Sequence, residues 1–71
     1  MIFTNHALIR MQQRGIDESS VISAILNPDE TGNSFGRRKL ARKTKGDKTF
    51  EVVYIKEDDI TVITVYWLEE I

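Results

Sequence analysis

At about Arg37 the hydrophobic rhythm of the chain changes, and that change limits the fold more than any other feature. Before it, apolar side chains recur at three- and four-residue spacing, as on one side of a helix. After it they alternate or run together in β-branched and aromatic blocks, as in strands. A chain of 71 residues has room for one core, and a domain of that size buries only about 60% of its unfolded surface. Helices first and strands afterwards, sharing that core, spell an α+β fold of two layers.

Local signals set the elements. Thr4 is an N-cap, with Ala7, Leu8 and Met11 as a narrow apolar stripe expected to be buried, and Gly15 as a left-handed stop. Asp17 caps a second helix, with Ile16 stapled onto Val21, and Asn27-Pro28 ends it. Its buried side is Val21, Ile22, Ile25 and Leu26. The helices span about residues 5–14 and 18–26 and form a helical hairpin. Asp29 to Gly36 has the composition of a loop, with Phe35 as its one large anchor. Strands follow at about 37–43, 49–56 and 60–67, with turns at Lys45-Gly46-Asp47 and Glu57-Asp58-Asp59. The expected architecture is a single domain over residues 1–71: a helical hairpin on one face of a three-stranded antiparallel meander (ααβββ).

Strand facing follows from loop length. A two-residue loop at Asp58-Asp59 pairs Val53 with Thr64 and Ile55 with Val62. The core face then holds Phe50, Val52, Tyr54, Ile63, Val65 and Trp67. The other holds Glu51, Val53, Ile55, Ile60, Val62, Thr64 and Tyr66, a set too apolar to stay wet. That face is expected to be covered, by a second copy in a homodimer or by another protein. For the first hairpin, one residue of loop length decides whether Arg37, Lys39 and Lys43 or Arg38 and Arg42 share the helix side, and both registers stay open.

Composition removes several chemistries. There is no cysteine, so disulfides, zinc–thiolate sites and thiol nucleophiles are excluded. One histidine does not build a multi-histidine metal site, and no metal or cofactor is expected. No apolar run reaches the ~20 residues of a membrane span and no leader pattern is present, so the expected location is the cytoplasm. The net charge of −1 argues against a general polyanion binder. Its distribution argues for a local anion site: −2 over residues 1–36, +6 over 37–48 and −5 over 49–71.

Two groups of side chains could carry chemistry. His6, Arg10 and Arg14 recur every four residues and form one ridge beside the apolar stripe, roughly 12 Å long. The second group is the basic run Arg37, Arg38, Lys39, Arg42, Lys43, Lys45 and Lys48, a nucleic-acid footprint in form. Each has a plainer role beside it. A cap-region histidine packs on a sheet edge, arginines pair with strand carboxylates, and cationic edge strands block aggregation.

The string Thr4-x-His6-Ala7-x-x-Arg10-Met11-x-x-Arg14-Gly15-Ile16, with Asn27-Pro28, Gly36-Arg37 and the closing Val62-Ile63-Thr64-Val65-Tyr66, resembles a family of short prokaryotic proteins known only as a domain of unknown function. That family in turn resembles the BrnT and RelE/ParE toxins. The resemblance implies a helix pair on a sheet and the toxin of a toxin–antitoxin pair, a metal-independent ribonuclease acting on mRNA and held by a small antitoxin encoded beside it. Metal-free RNA cleavage needs a group to take the 2′-OH proton, positive charge at the phosphate and a donor for the leaving 5′-oxygen. His6 would be base or acid, Arg10 with one of Arg37, Arg38 or Arg42 the charge clamp, and Tyr66 or Tyr54 the remaining proton carrier. The candidate catalytic set is His6, Arg10 and Tyr66, with Arg14, Arg37, Arg38, Arg42 and Lys43 as binding residues. The competing readings are a non-catalytic RNA- or ribosome-binding module and a protein-interaction domain that inhibits a target enzyme.

Overall fold

The computed structural model describes residues 1–68. Thr4 holds extended backbone, and its Oγ1 accepts the Ala7 N–H at 3.0 Å, so helix α1 (Asn5–Arg14) starts directly after it. Gly15 ends α1 at a φ of 66°, where a side chain would be strained. That left-handed step turns Ile16 into the core, with its N–H on the Met11 carbonyl at 2.9 Å. Asp17 caps α2 (Glu18–Leu26) by accepting the Ser20 N–H at 2.9 Å. Its bonds with Ser20 hold the Asp17 carboxyl below the usual carboxylate range.

The sheet is larger than a meander. Its strands are β1 (Ile2–Phe3), β2 (Glu30–Asn33), β3 (Arg38–Lys45), β4 (Lys48–Lys56) and β5 (Ile60–Trp67), in the order β1-β5-β4-β3-β2. β1 runs parallel to β5 and the remaining pairs are antiparallel, so the three-stranded antiparallel meander is replaced by a five-stranded mixed sheet. The extra strands come from segments with no strand pattern. β1 is two residues long, and β2 has four exposed residues that read as turn chemistry. Pairing with a formed neighbour makes them strands: Glu30 lies opposite Arg42 and Asn33 opposite Lys39.

Both helices lie on one side of the sheet, α1 on β5 and α2 on β3 and β4. The core joins Ala7, Met11, Ile16, Val21 and Ala24 to Phe50, Val52, Val62 and Val65. Trp67 meets Phe50 edge to face at 5.7 Å between centroids. Leu8 is not part of this core and is 42% exposed. It points about 100° around α1 from Ala7, the small residue that lets the helix sit close on the sheet. Ile22 and Ile25 are half-buried, and Leu26 is exposed.

A β-bulge corrects the facing of the last hairpin. Val53 pairs with Thr64, but Tyr54 pairs with Val62 and Ile55 with Thr61, which leaves Ile63 as an extra residue. Val62 therefore enters the core in place of Ile63, and Ile60 pairs with Lys56 in the helix-side row. The Thr4 N–H and hydroxyl bond the Val62 and Ile63 carbonyls at 3.2 and 3.1 Å, fixing the start of α1 to this irregularity. Of the four apolar residues expected on the second face, only Val53 and Ile55 remain there. Val53 is already 7% exposed between Leu40 and Thr64. Leu40 of β3 joins them on that face, opposite Val53.

Candidate functional site

Four side chains form a row across the face of the sheet that no helix covers. Glu30 on β2 stands opposite Arg42 on β3, Arg42 opposite Glu51 on β4, and Glu51 opposite Tyr66 on β5. The turn at Gly46-Asp47 fixes this register, placing Arg38 and Arg42 on the open face and Lys39 and Lys43 on the helix side.

Glu51 is the centre of the row and is 3% exposed. Arg42 Nε donates to its Oε1 at 2.7 Å, and the Tyr66 hydroxyl donates to its Oε2. Arg42 also reaches Glu30 Oε1 through Nη1 at 3.2 Å. Burial and the bond to Glu51 push the Tyr66 phenol up to about 12, so it is a proton donor at neutral pH. The bonds to Glu51 and then Glu30 hold Arg42 more firmly protonated still. A carboxylate carrying both a guanidinium and a phenol is equipped for proton transfer beside an anion.

The structure divides the residues singled out from sequence between the two faces. Tyr66 and Arg42 belong to the row, and Arg38 shares their face opposite Ile55. His6, Arg10 and Arg14 lie on the helix side along β5. His6 is exposed, Arg10 bonds Gln13 Oε1 at 2.8 Å, and Arg14 donates to the Val65 carbonyl at 2.8 Å. The Trp67 indole returns a bond to the Arg14 carbonyl at 2.8 Å, so Arg14 fastens the end of α1 to β5. His6 and Arg10 are therefore not brought together with Tyr66. Arg37 pairs with Glu57 beside the β4–β5 turn, and Lys43 donates to the Asn27 carbonyl at 2.7 Å at the end of α2. Tyr54 faces the helix side, on a cleft of about 480 Å³ shared with Lys39, Lys56 and Asn33.

Glu51 was not among the sequence candidates. A signal for it exists: pairing Val53 with Thr64 also sets Glu51 opposite Tyr66, a lone carboxylate in a β-branched strand. What the sequence left open was the first hairpin, and with it the arginine that completes the group. Among the described residues no cluster of three or more His, Cys, Asp or Glu is placed to hold a metal ion. No helix among the described residues is long and apolar enough to cross a membrane.

Comparison with curated proteins and with solved structures finds no match. A family profile does match, over residues 3–67, which takes in every element from β5 back to Phe3 and the whole Glu30–Arg42–Glu51–Tyr66 row. On that match the chain belongs to the family described as a domain of unknown function, DUF4258.

Proposed function

We propose that this domain is a metal-independent endoribonuclease of the RelE/BrnT-like toxin type, working from Arg42, Glu51 and Tyr66. One observation carries the reading: on the uncovered sheet face, the buried Glu51 carboxylate receives both the Arg42 guanidinium and the Tyr66 hydroxyl. An RNA phosphate entering beside them competes for Arg42 and frees one oxygen of Glu51. Glu51 takes the 2′-OH proton as the 2′-oxygen attacks the neighbouring phosphorus. Arg42 stabilises the charge on the pentacoordinate phosphate. Tyr66 protonates the departing 5′-oxygen, leaving a 2′,3′-cyclic phosphate and a free 5′-hydroxyl. The proton on Glu51 then returns to the phenolate along their hydrogen bond, and the site is reset. Within this reading the antitoxin, a small protein encoded beside the toxin, acts by covering the open face.

The test is cleavage of a labelled single-stranded RNA in the presence of EDTA. Glu51→Gln keeps the shape of the side chain and is expected to slow cleavage by about 10²–10⁴-fold. Tyr66→Phe is expected to lose a comparable factor. Unchanged product formation by both variants, at unchanged melting temperature, would make the row a pin for the sheet. RNA binding with a salt slope but no product from the wild-type protein would leave a non-catalytic RNA-binding module.

A further inference from the structure

Phe35, expected to anchor its loop, is instead the most exposed large apolar side chain among the described residues, at 88%. It sits at the tip of the β2–β3 hairpin, and the tip is a defined turn. The Ser34 N–H donates to the Arg38 carbonyl at 2.9 Å and the Arg38 N–H to the Phe35 carbonyl at 3.0 Å. Gly36 supplies the left-handed bend, with φ of 59°. A turn held in this way leaves the ring in solvent, where it adds no buried area to the fold.

The surroundings distinguish between kinds of partner. Its neighbours in the chain, Asn33, Ser34, Gly36, Arg37 and Arg38, are all exposed and carry no large apolar side chain to extend the ring into a patch along the turn. It has cations beside it instead. Arg37 is paired with Glu57, whereas Arg38 has no carboxylate within ion-pair distance among the described residues. Arg38 lies on the same face as Arg42, Glu51 and Tyr66, four residues along β3 from Arg42, or about 13 Å. An exposed aromatic ring at a turn whose closing residue is an arginine with no carboxylate partner among the described residues suits an unpaired base and its phosphate.

The geometry points to a single-stranded RNA lying along β3, with one base stacked on Phe35 and an adjoining phosphate on Arg38. The position of the cut, at Arg42, Glu51 and Tyr66, rests on the ribonuclease reading above; the stacking contact does not. Duplex RNA is excluded from this contact because its bases are already stacked and paired.

A 2′-O-methylated oligoribonucleotide of about ten nucleotides cannot be cleaved through its 2′-oxygen and isolates binding. In fluorescence anisotropy, Phe35→Ala is expected to weaken binding about tenfold with an unchanged salt slope. Phe35→Tyr should bind like wild type, and Phe35→Leu as weakly as Phe35→Ala. Arg38→Ala should lower the salt slope by about 0.7. The same probe annealed to its complement should not distinguish wild type from Phe35→Ala. Equal affinity of wild type and Phe35→Ala for the single strand overturns the proposal. So does Phe35→Leu matching Phe35→Tyr, which marks a greasy contact for a protein partner, or no binding by wild type. Phe35-dependent binding by a protein that makes no product overturns the cleavage reading and leaves this one standing. Cleavage indifferent to Phe35→Ala does the reverse.

Discussion

The Tyr66 hydroxyl donates to the Glu51 carboxylate across β4 and β5, on the face of the sheet turned away from both helices. A buried carboxylate on an uncovered face is stable only while its partners hold it. Arg42 and Tyr66 are those partners, and they give the pair a pH signature that is independent of any activity.

Burial, and after it the bond to Glu51, push the Tyr66 phenol up to about 12 in the folded chain. An unfolded tyrosine titrates near 10, so between about pH 10 and 12 the unfolded chain binds fewer protons than the native one. Stability from this group is whole below pH ~10 and falls as pH rises through that window. Melting temperatures followed against pH should show the decline in wild type and a flatter alkaline limb in Tyr66→Phe. An identical limb in both would mean that Tyr66 does not titrate differently on folding.

His6→Ala and Arg10→Ala should leave RNA cleavage within about twofold of wild type, as surface substitutions away from the reacting group do. Both residues sit on α1, on the opposite side of the sheet from Glu51. A loss of more than tenfold by either, in a folded protein, would return the chemistry to α1.

Phe50 and Phe35 are the same residue type in opposite surroundings, at 1% and 88% exposure. Phe50→Ala removes the ring under α2 and beside Trp67 and should cost about 3–5 kcal/mol, enough to unfold a domain this small at 37 °C. Phe35→Ala should stay within ~0.5 kcal/mol of wild type. Urea denaturation of both variants checks the contrast.

Thr4→Ala removes the cap of α1 and its hydroxyl bond to the Ile63 bulge together. The expected loss is about 1 kcal/mol, which lowers the melting temperature by about 4–8 °C in a domain of this size. Thr4→Ser should recover most of it. A drop no smaller in Thr4→Ser would place the effect in the lost methyl group rather than in the hydroxyl.

What could be read from the sequence was what depends on near neighbours. Thr4, Gly15 and Asp17 act as caps through bonds to residues one to four positions away, and periodicity located the long strands. β1 and β2 were invisible because Ile2–Phe3 and Glu30–Asn33 become strands only by lying against β5 and β3. The Ile63 bulge reversed the facing of Val62 for a similar reason: one added residue in a run of β-branched side chains leaves no mark on composition. For the site, Tyr66 and Arg42 stood among the candidates, whereas Glu51 needed two hairpin registers at once. The His6–Arg10–Arg14 ridge was sound as helix geometry. Its last member turned out to serve attachment, since Arg14 and Trp67 bind each other's strand and helix.

The two-residue parallel pairing of Ile2 and Phe3 with Thr61 and Val62 has a consequence for synthesis. β5 is the bed for β1, for the Thr4 cap and for α1, yet it is the last strand made. During synthesis the first helix has no surface to settle on until β5 has also emerged. Folding cannot proceed from the N-terminus in stages, because its first and last pieces complete each other. A chain cut before Ile60 is expected to leave α1 without the strand it packs on.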